Sequence, residues 1–473
     1  MTIPSQVQPT ASYSLTLRLY VAADDPTAIG LITTAIGAAD GAVTGMDFVE
    51  TAGERLTLDV TVNAANDEHG ERIAAAVDAL DTVTVHRVSD RTFLLHLRGK
   101  LEVQPTIPLR TRDDLSMAYT PGVARVCRAL AAHPEDARTL TIKANTVAIV
   151  TDGSAVLGLG DIGATAAIPV MEGKAALFKR FAGIDAWPVC LDTTDVDEIV
   201  RTVVAMAPVY GGINLEDIAA PRCFEVEARL REALDIPVFH DDQHGTAIVV
   251  LAALLNALRV VGKDLTEVSV AMSGAGAAGV AIANLLLREG VGDLVLSDIN
   301  GILAADEPRG VPVLDDLAQR TNRDRRHGGL ADAVRGADVF IGVSAPDLLT
   351  LEDIRTMAAE PIVFALANPD PEIDPFLARQ VAAVVATGRS DQPNQINNVL
   401  AFPGVFRGAL DARATTITEA MKSAAARALA AVVTDEELRA SYIVPSVFND
   451  RVITVVADAV RREVERSGDR AGG

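Results

Sequence analysis

The first hundred residues carry two alternating patterns of hydrophobic and polar positions. Every second residue from Tyr13 to Val21 is hydrophobic, which predicts a half-buried strand. The same alternation recurs over residues 55–63, after a turn at Ala52-Gly53. Further strands are predicted at 42–50 and 83–88, and helices at 26–39 and 67–80. The resulting order, βαββαβ, is that of a ferredoxin-like unit.

After a proline-containing linker at 105–108, apolar strands and longer apolar helices alternate. From about residue 268 this rhythm is typical of a doubly wound parallel sheet. Its strands are predicted at 268–272, 293–297, 339–343, 362–366 and 383–386. We therefore predict an α/β fold with three domains. They are a ferredoxin-like domain (1–100), an α/β substrate and metal domain (101–260), and a Rossmann-type NAD domain (261–473) whose helices after Thr415 pack back on the substrate domain.

Composition narrows the class of protein. A chain of 473 residues is too long for one ordinary core. The formal net charge of −22 disfavours binding to nucleic acid or to an anionic membrane. The longest apolar run, 248–258, is too short for a membrane span and predicts a buried helix. No secretory signal is evident, and three scattered cysteines predict reduced thiols in a cytoplasmic protein. A catalytic cysteine is the alternative.

A glycine-rich motif follows the apolar strand that ends at Met272 and opens an apolar helix. Its residues are Gly274, Ala275, Gly276, Ala277, Ala278 and Gly279. The three glycines permit a tight turn, close approach of a pyrophosphate and close packing of helix on strand. A glycine-rich turn without a ligand is the alternative. Asp298, which ends the next strand, would bond a ribose and repel a 2′-phosphate, so NAD is favoured. NADP stays possible because Arg309 is near in sequence.

Three carboxylates are predicted to bind a metal ion. Glu216 and Asp217 stand at the expected start of a helix over 217–234, and Asp242 follows a short strand at 236–239. Oxygen ligands of this kind favour Mg²⁺ or Mn²⁺ over Zn²⁺. The alternative is that they are capping or solvated carboxylates.

Two residues are candidates for proton transfer. Lys174 stands in an apolar stretch, as at a helix start, and a buried amine near a divalent cation has a lowered pKa that suits a general base. Its alternatives are an exposed amine or a pair with Glu172. Tyr119 offers a phenol as proton donor, or else it is only a packed aromatic.

Three asparagines are candidates for ligand contacts. Asn368 ends a predicted strand and is placed to hold the nicotinamide ribose or the substrate. Asn397 and Asn398 are candidates for binding a substrate carboxylate. Each has a turn residue as its alternative.

Together these segments resemble the malic enzyme family, in its shorter bacterial type. The motifs are SMAYTPGVA, AIVTDGSAVLGLGDIG, PVMEGKAALFK, INLEDIAAPRCFEVE, FHDDQHGTA, SGAGAAG, FALANPDPEI and NNVLAFPGV, in family order over about residues 109–440.

The resemblance implies a role for each matching residue. Tyr119 is the proton donor, Lys174 the base, Glu216, Asp217 and Asp242 the metal ligands, 275–278 the phosphate-binding turn, Asn368 a nucleotide contact and Asn398 a substrate contact. One departure stands out. Larger members carry an arginine for the substrate carboxylate soon after TDG, where this chain has Ser154-Ala155.

The N-terminal unit resembles the ACT family of small-molecule-sensing modules, including a glycine, Gly30, in its first helix. The resemblance implies side-by-side pairing, hence a homodimer or a dimer of dimers, and an effector bound between units. An inert dimerisation module is the alternative.

The implied reaction is oxidative decarboxylation of L-malate to pyruvate and CO₂ with reduction of NAD(P)⁺. Conversion of malate to lactate by the same residues is one alternative. A non-catalytic sensor of nucleotide and small molecule is another.

Overall fold

A computed structural model describes residues 8–156 and 158–470. The chain divides into two compact units, Met1–Glu102 and Val103–Gly473. Each unit is described by itself.

The N-terminal unit has the predicted order βαββαβ, followed by one short helix. Its elements are β1 (Thr10–Ala22), α1 (Ala28–Ala38), β2 (Ala42–Ala52), β3 (Arg55–Ala64), α2 (Asp67–Asp78), β4 (Val83–Asp90) and α3 (Arg91–His96). The sheet order is β2-β3-β1-β4, and β1 pairs antiparallel with both β3 and β4. Leu17 and Leu19 on β1 pack with Ile32 on α1 and Ile73 on α2 in one core. The alternation along β1 therefore places its apolar side chains under both helices.

The second unit begins with short helices and continues into a parallel sheet. Its first elements are α4 (Arg112–Ala118), α5 (Val123–Ala132), α6 (Ala137–Leu140), β5 (Thr146–Thr151), α7 (Gly163–Ala182), β6 (Asp185–Cys190), α8 (Val196–Met206), β7 (Gly212–Leu215), α9 (Arg222–Ala233), β8 (Val238–His240) and α10 (Thr246–Val261). The sheet order is β6-β5-β7-β8, with every pair parallel. A π-helical turn, Asp241–Gly245, joins β8 to α10.

Two boundaries differ from the sequence-based prediction. The helix predicted over 217–234 begins at Arg222, because Asp217 has a left-handed backbone and Pro221 disfavours a helical residue before it. Lys174, expected at a helix start, lies well inside the long helix α7.

The nucleotide-type sheet follows. Its elements are β9 (Ser269–Ser273), α11 (Ala277–Arg288), β10 (Asp293–Asp298), β11 (Gly301–Ile302), α12 (Pro312–Arg320), α13 (Leu330–Val334), β12 (Val339–Gly342), α14 (Leu351–Arg355), β13 (Ile362–Ala365), α15 (Pro375–Ala378) and β14 (Val384–Thr387). The order is β11-β10-β9-β12-β13-β14, parallel except at β11. All five predicted parallel strands are present. The two-residue β11 was not predicted, because it is too short to show a period.

The last three helices are α16 (Phe402–Asp411), α17 (Glu419–Ala430) and α18 (Arg451–Ser467). Of these, α17 packs against α10, and α18 packs against both α16 and α17. Asn256 on α10 is fully buried, and its Nδ2 donates to the carbonyl oxygens of Ala430, at 3.0 Å, and Ile443, at 2.9 Å. Ala430 ends α17, where carbonyl oxygens have no partner further along the helix, so the amide of Asn256 ties α10 to that helix end.

The helical stretch Asp241–Val261 is long and apolar enough to cross a membrane by composition. However, 67% of its most apolar window is buried inside the molecule. It is therefore the core helix that the sequence predicted, and the run is apolar because α10 is covered on most sides.

Candidate functional site

The three predicted metal ligands meet at the carboxyl ends of two neighbouring strands. Glu216 and Asp217 follow β7, and Asp242 lies in the π-helical turn after β8. Since β7 and β8 are parallel neighbours, both ends lie at one edge of the sheet. One oxygen of each carboxylate lies within 4.8 Å of the other two. The structure thus brings together the three side chains that sequence reasoning selected.

The backbone at Asp217 explains how two consecutive residues face one point. Its φ is 53°, a left-handed conformation that costs a non-glycine residue about 1–3 kcal/mol. The Asp217 N–H donates to Asp242 Oδ2 at 2.8 Å. Glu216 is oriented separately, because Asn214 Nδ2 donates to its Oε2 at 2.8 Å. The hydrogen bond from Asp217 to Asp242 therefore offsets part of the cost of the left-handed backbone at Asp217.

Lys174 projects from α7 onto this cluster. Its Nζ donates to Glu216 Oε1 at 3.0 Å and also to Asp241, and it lies 3.9 Å from the ring centroid of Phe402. The pairing with Glu172 that the sequence left open is not the one observed. Lys174 is only 8% exposed, so its amine is held in one place.

The pKa of Lys174 is raised rather than lowered. Burial alone would lower it, but the carboxylates of Asp241 and Glu216 more than offset that effect. The sequence-based prediction of a lowered pKa concerns this amine beside a divalent cation, and it stays a prediction. Burial, together with Asp241 and Asp242, raises the pKa of Glu216 well above its usual range, against the effect of Lys174.

The donor set of the cluster fits a hard divalent cation. Glu216, Asp217 and Asp242 offer carboxylate oxygens, which Mg²⁺ and Mn²⁺ prefer. The crowding that raises the pKa of Glu216 is what a bound positive charge would relieve.

Sequence reasoning did not single out Asp241, which organises the site. Its side chain is fully buried, and its Oδ2 accepts from Lys174 and from Asn398 Nδ2, the latter at 3.1 Å. Asn398 Oδ1 in turn accepts from Thr246 Oγ1 at 3.1 Å. Asn397 lies beside it, but its Oδ1 accepts from the N–H of Val399 and so caps the following turn.

A second missed residue, Arg222, begins α9 and contacts the turn at Ser154-Ala155, where the resemblance implies an arginine that this chain lacks. Its Nε donates to Asp152 Oδ2 at 3.1 Å. The other oxygen of Asp152 accepts from the backbone and the hydroxyl of Ser154. Ser154 Oγ also accepts from the N–H of Ala219 at 2.9 Å. The guanidinium of Arg222 therefore stands close to the position that Ser154 leaves without a cation.

The glycine-rich turn has the geometry of a phosphate cradle. Gly274 has a φ of 106°, and a Cβ added at Gly279 would lie 1.9 Å from the carbonyl oxygen of Gly274. A Cβ at Gly276 would meet nothing within 4 Å, so that side is open for a ligand to approach. Ala277 and Ala278 open α11, whose N-terminus suits a pyrophosphate, and Ala275 lies within the turn before it.

Comparison with known proteins decides the family. The N-terminal domain of malic enzyme matches residues 98–231, and its NAD-binding domain matches residues 243–465. An NAD-dependent malic enzyme of Geobacillus stearothermophilus is 55% identical over 458 residues, which cover 97% of this chain and 96% of that protein. The chain belongs to the malic enzyme family. The family predicted from the eight motifs is thus confirmed.

Other malic enzymes define how far the likeness extends. A bifunctional malic/malolactic enzyme of Bacillus subtilis is 53% identical over 387 residues, 80% of this chain and 94% of that protein. The crystal structure of an NAD-dependent malic enzyme from Thermotoga maritima matches with a TM-score of 0.76 and 48% identity. It covers 79% of this chain and 99% of that one. The N-terminal unit therefore lies largely outside these two shorter matches.

Asp298 and Asn368 are the two further residues predicted to contact the nucleotide in this malic enzyme. Each of them forms hydrogen bonds with residues that are close in sequence. Asp298 Oδ1 accepts from the N–H of Asn300 at 2.7 Å, and its Oδ2 accepts from Arg309 Nε at 3.0 Å. Arg309 thus already lies against the carboxylate that is predicted to bind the ribose. Asn368 follows β13, and its Nδ2 donates to the carbonyl oxygen of Leu366 at 3.2 Å.

The structure does not bring Tyr119 together with Lys174. Tyr119 is the C-cap residue that follows the short helix α4, and it is 69% exposed. Within residues 8–156 and 158–470, its phenol makes no hydrogen bond. From Val103 to Asn145, every residue is exposed or only partly buried. This stretch, which we call the uncovered segment, carries the predicted proton donor of the malic enzyme fold.

The cysteines take no part in the cluster. Cys127, Cys190 and Cys223 are free thiols. Burial raises the pKa of Cys223 to about 12, so it is not a nucleophile at neutral pH.

Proposed function

We propose that the protein oxidises and decarboxylates L-malate to pyruvate and CO₂ while reducing NAD⁺, with Mg²⁺ or Mn²⁺ bound at Glu216, Asp217 and Asp242. The observation that carries the proposal is the buried Lys174, held against Glu216 and Asp241 beside three converging carboxylates. The glycine cradle of the NAD-binding domain supports the choice of a nicotinamide cofactor.

Lys174 is the base in this proposal. When bound, a divalent cation at the three carboxylates lowers the pKa of a substrate hydroxyl and offsets the negative charge that now favours the protonated amine. Lys174 then accepts the C2-hydroxyl proton as hydride leaves C2 for the nicotinamide. Asp241 orients the amine, since it accepts from Lys174 and Asn398 at once. Asn398 is held close enough to this group to contact the substrate.

The protonation of C3 after loss of CO₂ requires an acid, and Tyr119 is the proposed one. Its phenol is exposed and belongs to the uncovered segment, whose large apolar side chains face outward, among them Val103, Leu115 and Met117. Burying such a surface is the usual driving force for association. We propose that a second copy of the chain covers this segment in a homodimer, or a dimer of dimers, and that Tyr119 serves the site of its partner.

Mixing two inactive variants tests this arrangement. Chains with Lys174→Ala and chains with Tyr119→Phe, carrying different tags, are unfolded, mixed and refolded together. A hybrid dimer would have one site with both native groups, so a statistical mixture should recover about a quarter of native activity. No recovery, with hybrid dimers shown by tandem affinity capture, would mean that both groups act within one chain.

The first assay of the proposed reaction follows absorbance at 340 nm with L-malate, Mn²⁺ and either NAD⁺ or NADP⁺. Pyruvate is measured in the same tube. Reduced cofactor that matches pyruvate supports oxidative decarboxylation. The ratio of rates tests the preference for NAD⁺, which rests on Asp298 and on the NAD-dependent relative. Activity lost in EDTA and restored by Mn²⁺ tests the metal.

Malolactic conversion is the second candidate, and one observation favours it. The relative from Bacillus subtilis is named a bifunctional malic/malolactic enzyme. Lactate formed without accumulation of reduced cofactor would establish that reaction. Absence of both products would leave a non-catalytic sensor, which the organised contacts of Lys174 and Asp241 argue against.

The N-terminal unit is proposed to be an ACT-like module that binds a small effector. An added Cβ at Gly30 in α1 would meet nothing within 4 Å, so this glycine is not required by packing in its own chain. A cleft of about 450 Å³, lined in part by Tyr13, Leu15 and Gly70, is large enough for a small molecule.

Measuring the thermal midpoint of unfolding and the rate of malate oxidation with each of the common amino acids tests regulation. No response would favour plain dimerisation. The cytoplasmic location stays a prediction.

A further inference from the structure

A second polar cleft lies in the C-terminal unit, where α6 and the turn after it meet the C-terminal end of α16. Its volume is about 310 Å³. Four cationic side chains, one amide and one carboxylate line it: Arg138, Lys143, Asn145, Arg407, Asp411 and Arg413. Because the chain as a whole carries a net charge of −22, such a cationic cleft is unexpected.

The cations of the cleft form few close ion pairs with the described residues, although the carboxylate of Asp235 lies near enough to act on Arg138 and Lys143. Arg407 pairs with Asp411, the carboxylate that lines the cleft. Arg138 Nη2 donates to the carbonyl oxygen of Asp235, and Arg413 Nη2 donates to Thr139 Oγ1. Neither of these arginines forms an ion pair with any of the described residues.

Lys143 is bound in the same way, by neutral acceptors. Its Nζ donates to the carbonyl oxygens of Ala207, Pro208 and Tyr210, at 2.9–3.2 Å. Burial, together with the charge of Arg138, lowers the pKa of Lys143, against the effect of the Asp235 carboxylate. Like charges are therefore held near one another, and this arrangement costs stability until an anion occupies the space between them.

One donor behind the lining of the cleft has no partner in the part of the chain that the structure describes. Arg407 Nη1 donates to Asn145 Oδ1 at 2.7 Å, whereas its Nε is buried and has no hydrogen-bond partner among the described residues. A buried donor without an acceptor costs about 1–3 kcal/mol. The donors left for a ligand are therefore those of Arg138 and Arg413, for each of which one hydrogen bond is recorded among the described residues. A guanidinium presents its donors in a fork geometry that matches phosphate and carboxylate oxygens.

We infer that this cleft binds a compact, multiply charged oxyanion of the phosphate or polycarboxylate class. A volume of about 310 Å³ is at the lower end of small-molecule sites and exceeds what one or two waters fill. The site is separate from the cluster around Lys174 and from the glycine-rich turn, so the inference does not depend on the proposed reaction. Arg138, Lys143 and Asn145 belong to the uncovered segment, so the inference requires that the proposed second copy leave this cleft open.

Position in the fold gives the site a connection to the catalytic lysine. Arg407 and Asp411 lie on the last turn and a half of α16, and Phe402 begins the same helix under the amine of Lys174. Phe406, between them, packs edge-on against Phe178 of α7. An anion bound at the C-terminal end of α16 therefore contacts the same helix whose first residue, Phe402, packs against the amine of Lys174.

Isothermal titration of the full-length protein in metal-free buffer tests the inference. Inorganic pyrophosphate and tricarballylate are the two probes, and they distinguish the phosphate source from the polycarboxylate source. The variant Arg138→Gln/Arg413→Gln should bind the preferred probe at least about 100-fold more weakly, because removing each charge-assisted hydrogen bond weakens binding about tenfold.

A matched control removes two other exposed arginines, as Arg180→Gln/Arg201→Gln, and has the same net charge. It should bind like the native protein. Pyrophosphate bound at Gly274 would be common to all three proteins and cannot produce the difference. If the double variant fails to fold, it is replaced by Arg413→Gln alone, because Thr139 is the one hydrogen-bond partner of the Arg413 side chain among the described residues.

Two results would overturn the inference. One is no binding of either probe by the native protein, or equal binding by Arg138→Gln/Arg413→Gln. The other is that this variant loses self-association in sedimentation while the native protein binds neither probe. In that case the cations pair with carboxylates of a second copy.

Discussion

At the scale of single residues, Lys174 carries the chemistry, and its neighbour on α7 supplies a control. Lys174→Ala should lower kcat by about 10³-fold or more, since loss of a positioned base typically costs 10²–10⁴-fold. Lys179→Ala removes an exposed amine paired with Asp185 and should leave kcat within about twofold. Initial rates with saturating malate and Mn²⁺ compare the two. Retention of most activity by Lys174→Ala would exclude it as the base.

Arg222 is expected to bind a carboxylate of malate, because its Nε bonds Asp152, beside the turn where the resemblance to larger malic enzymes implies an arginine. Arg222→Gln should raise KM for malate about tenfold or more, the cost of one charge-assisted hydrogen bond, with a smaller change in kcat. The control is Arg229→Gln on the same helix, which breaks exposed ion pairs with Asp197 and Glu225. Equal KM values in both variants would show that another group neutralises the substrate.

Asp298 is expected to set the choice of cofactor, with Arg309 already in place beside it. Asp298→Asn removes the charge that repels a 2′-phosphate and the carboxylate that Arg309 Nε bonds, so this donor can then bind a 2′-phosphate. The ratio of kcat/KM for NAD⁺ over NADP⁺ should fall by about tenfold or more, as expected when one charge-assisted bond forms. Arg309→Gln added to Asp298→Asn should reverse the improvement for NADP⁺. An unchanged ratio would place the discrimination elsewhere.

The sequence identified those site residues whose side-chain type and whose position at the end of a predicted strand both indicated a ligand-binding role. Glu216, Asp217 and Asp242 are carboxylates at strand ends, where a parallel sheet gathers its ligands. Asp241 was not singled out, because adjacent acidic residues look alike until the π-helical turn points one to Lys174 and the other to the cluster. Arg222 was missed for a similar reason. It is far in sequence from Asp152, and only the fold brings them together.

At the scale of elements, the pattern of hydrophobic and polar residues predicted which segments are strands and which are helices. It did not predict where α9 begins. The left-handed backbone of Asp217 breaks the helical path, and acidic residues before a helix are equally typical of its first turn. Pro221 was the available signal, since a residue that precedes proline rarely stays helical. The π-helical turn Asp241–Gly245 left no periodic signal, because five residues are too few.

A buried chain of polar groups ties that turn to two helices. His244 Nε2 lies 2.8 Å from Glu227 on α9, and its Nδ1 lies 2.9 Å from Lys422 Nζ on α17. Burial alone would raise the pKa of Glu227, but His244 and Lys422 lower it to about 2. A carboxyl with a lowered folded pKa stabilises the fold above its unfolded value, near 4.5, and this contribution is lost as pH falls toward 2.

Glu227→Gln should therefore lower the free energy of unfolding by about 3 kcal/mol at pH 7. The difference from the native protein should shrink as the pH falls from 4.5 toward 2, because the native carboxyl is then protonated too. Urea unfolding across that range measures it. Glu225→Gln, which touches only the exposed Arg229, should cost less than about 1 kcal/mol at every pH. A pH-independent loss in Glu227→Gln would mean that only packing was disturbed.

At the scale of the whole molecule, the uncovered segment is the part that the sequence could not explain. Its helices α4 and α5 have apolar residues at helical spacing, as core helices do, yet none of these residues is buried in the chain. A single sequence does not show whether the covering surface belongs to the same chain or to another copy. In a single chain these apolar side chains are exposed. Exposed apolar patches of this kind are typical of protein–protein interaction surfaces.

Met117 offers a direct test of that cover. Because Met117 is 69% exposed, Met117→Glu should hardly change the stability of a chain that acts alone. The thermal midpoint of unfolding measures that stability. If a second copy covers the segment, the buried charge should shift the protein toward single chains in sedimentation velocity. Malate oxidation should fall in parallel, because each site would lose the Tyr119 of its partner. Phe376→Glu, at a similarly exposed position on α15, should change neither the mass nor the rate. A native mass and rate in Met117→Glu would mean that Tyr119 reaches Lys174 within its own chain.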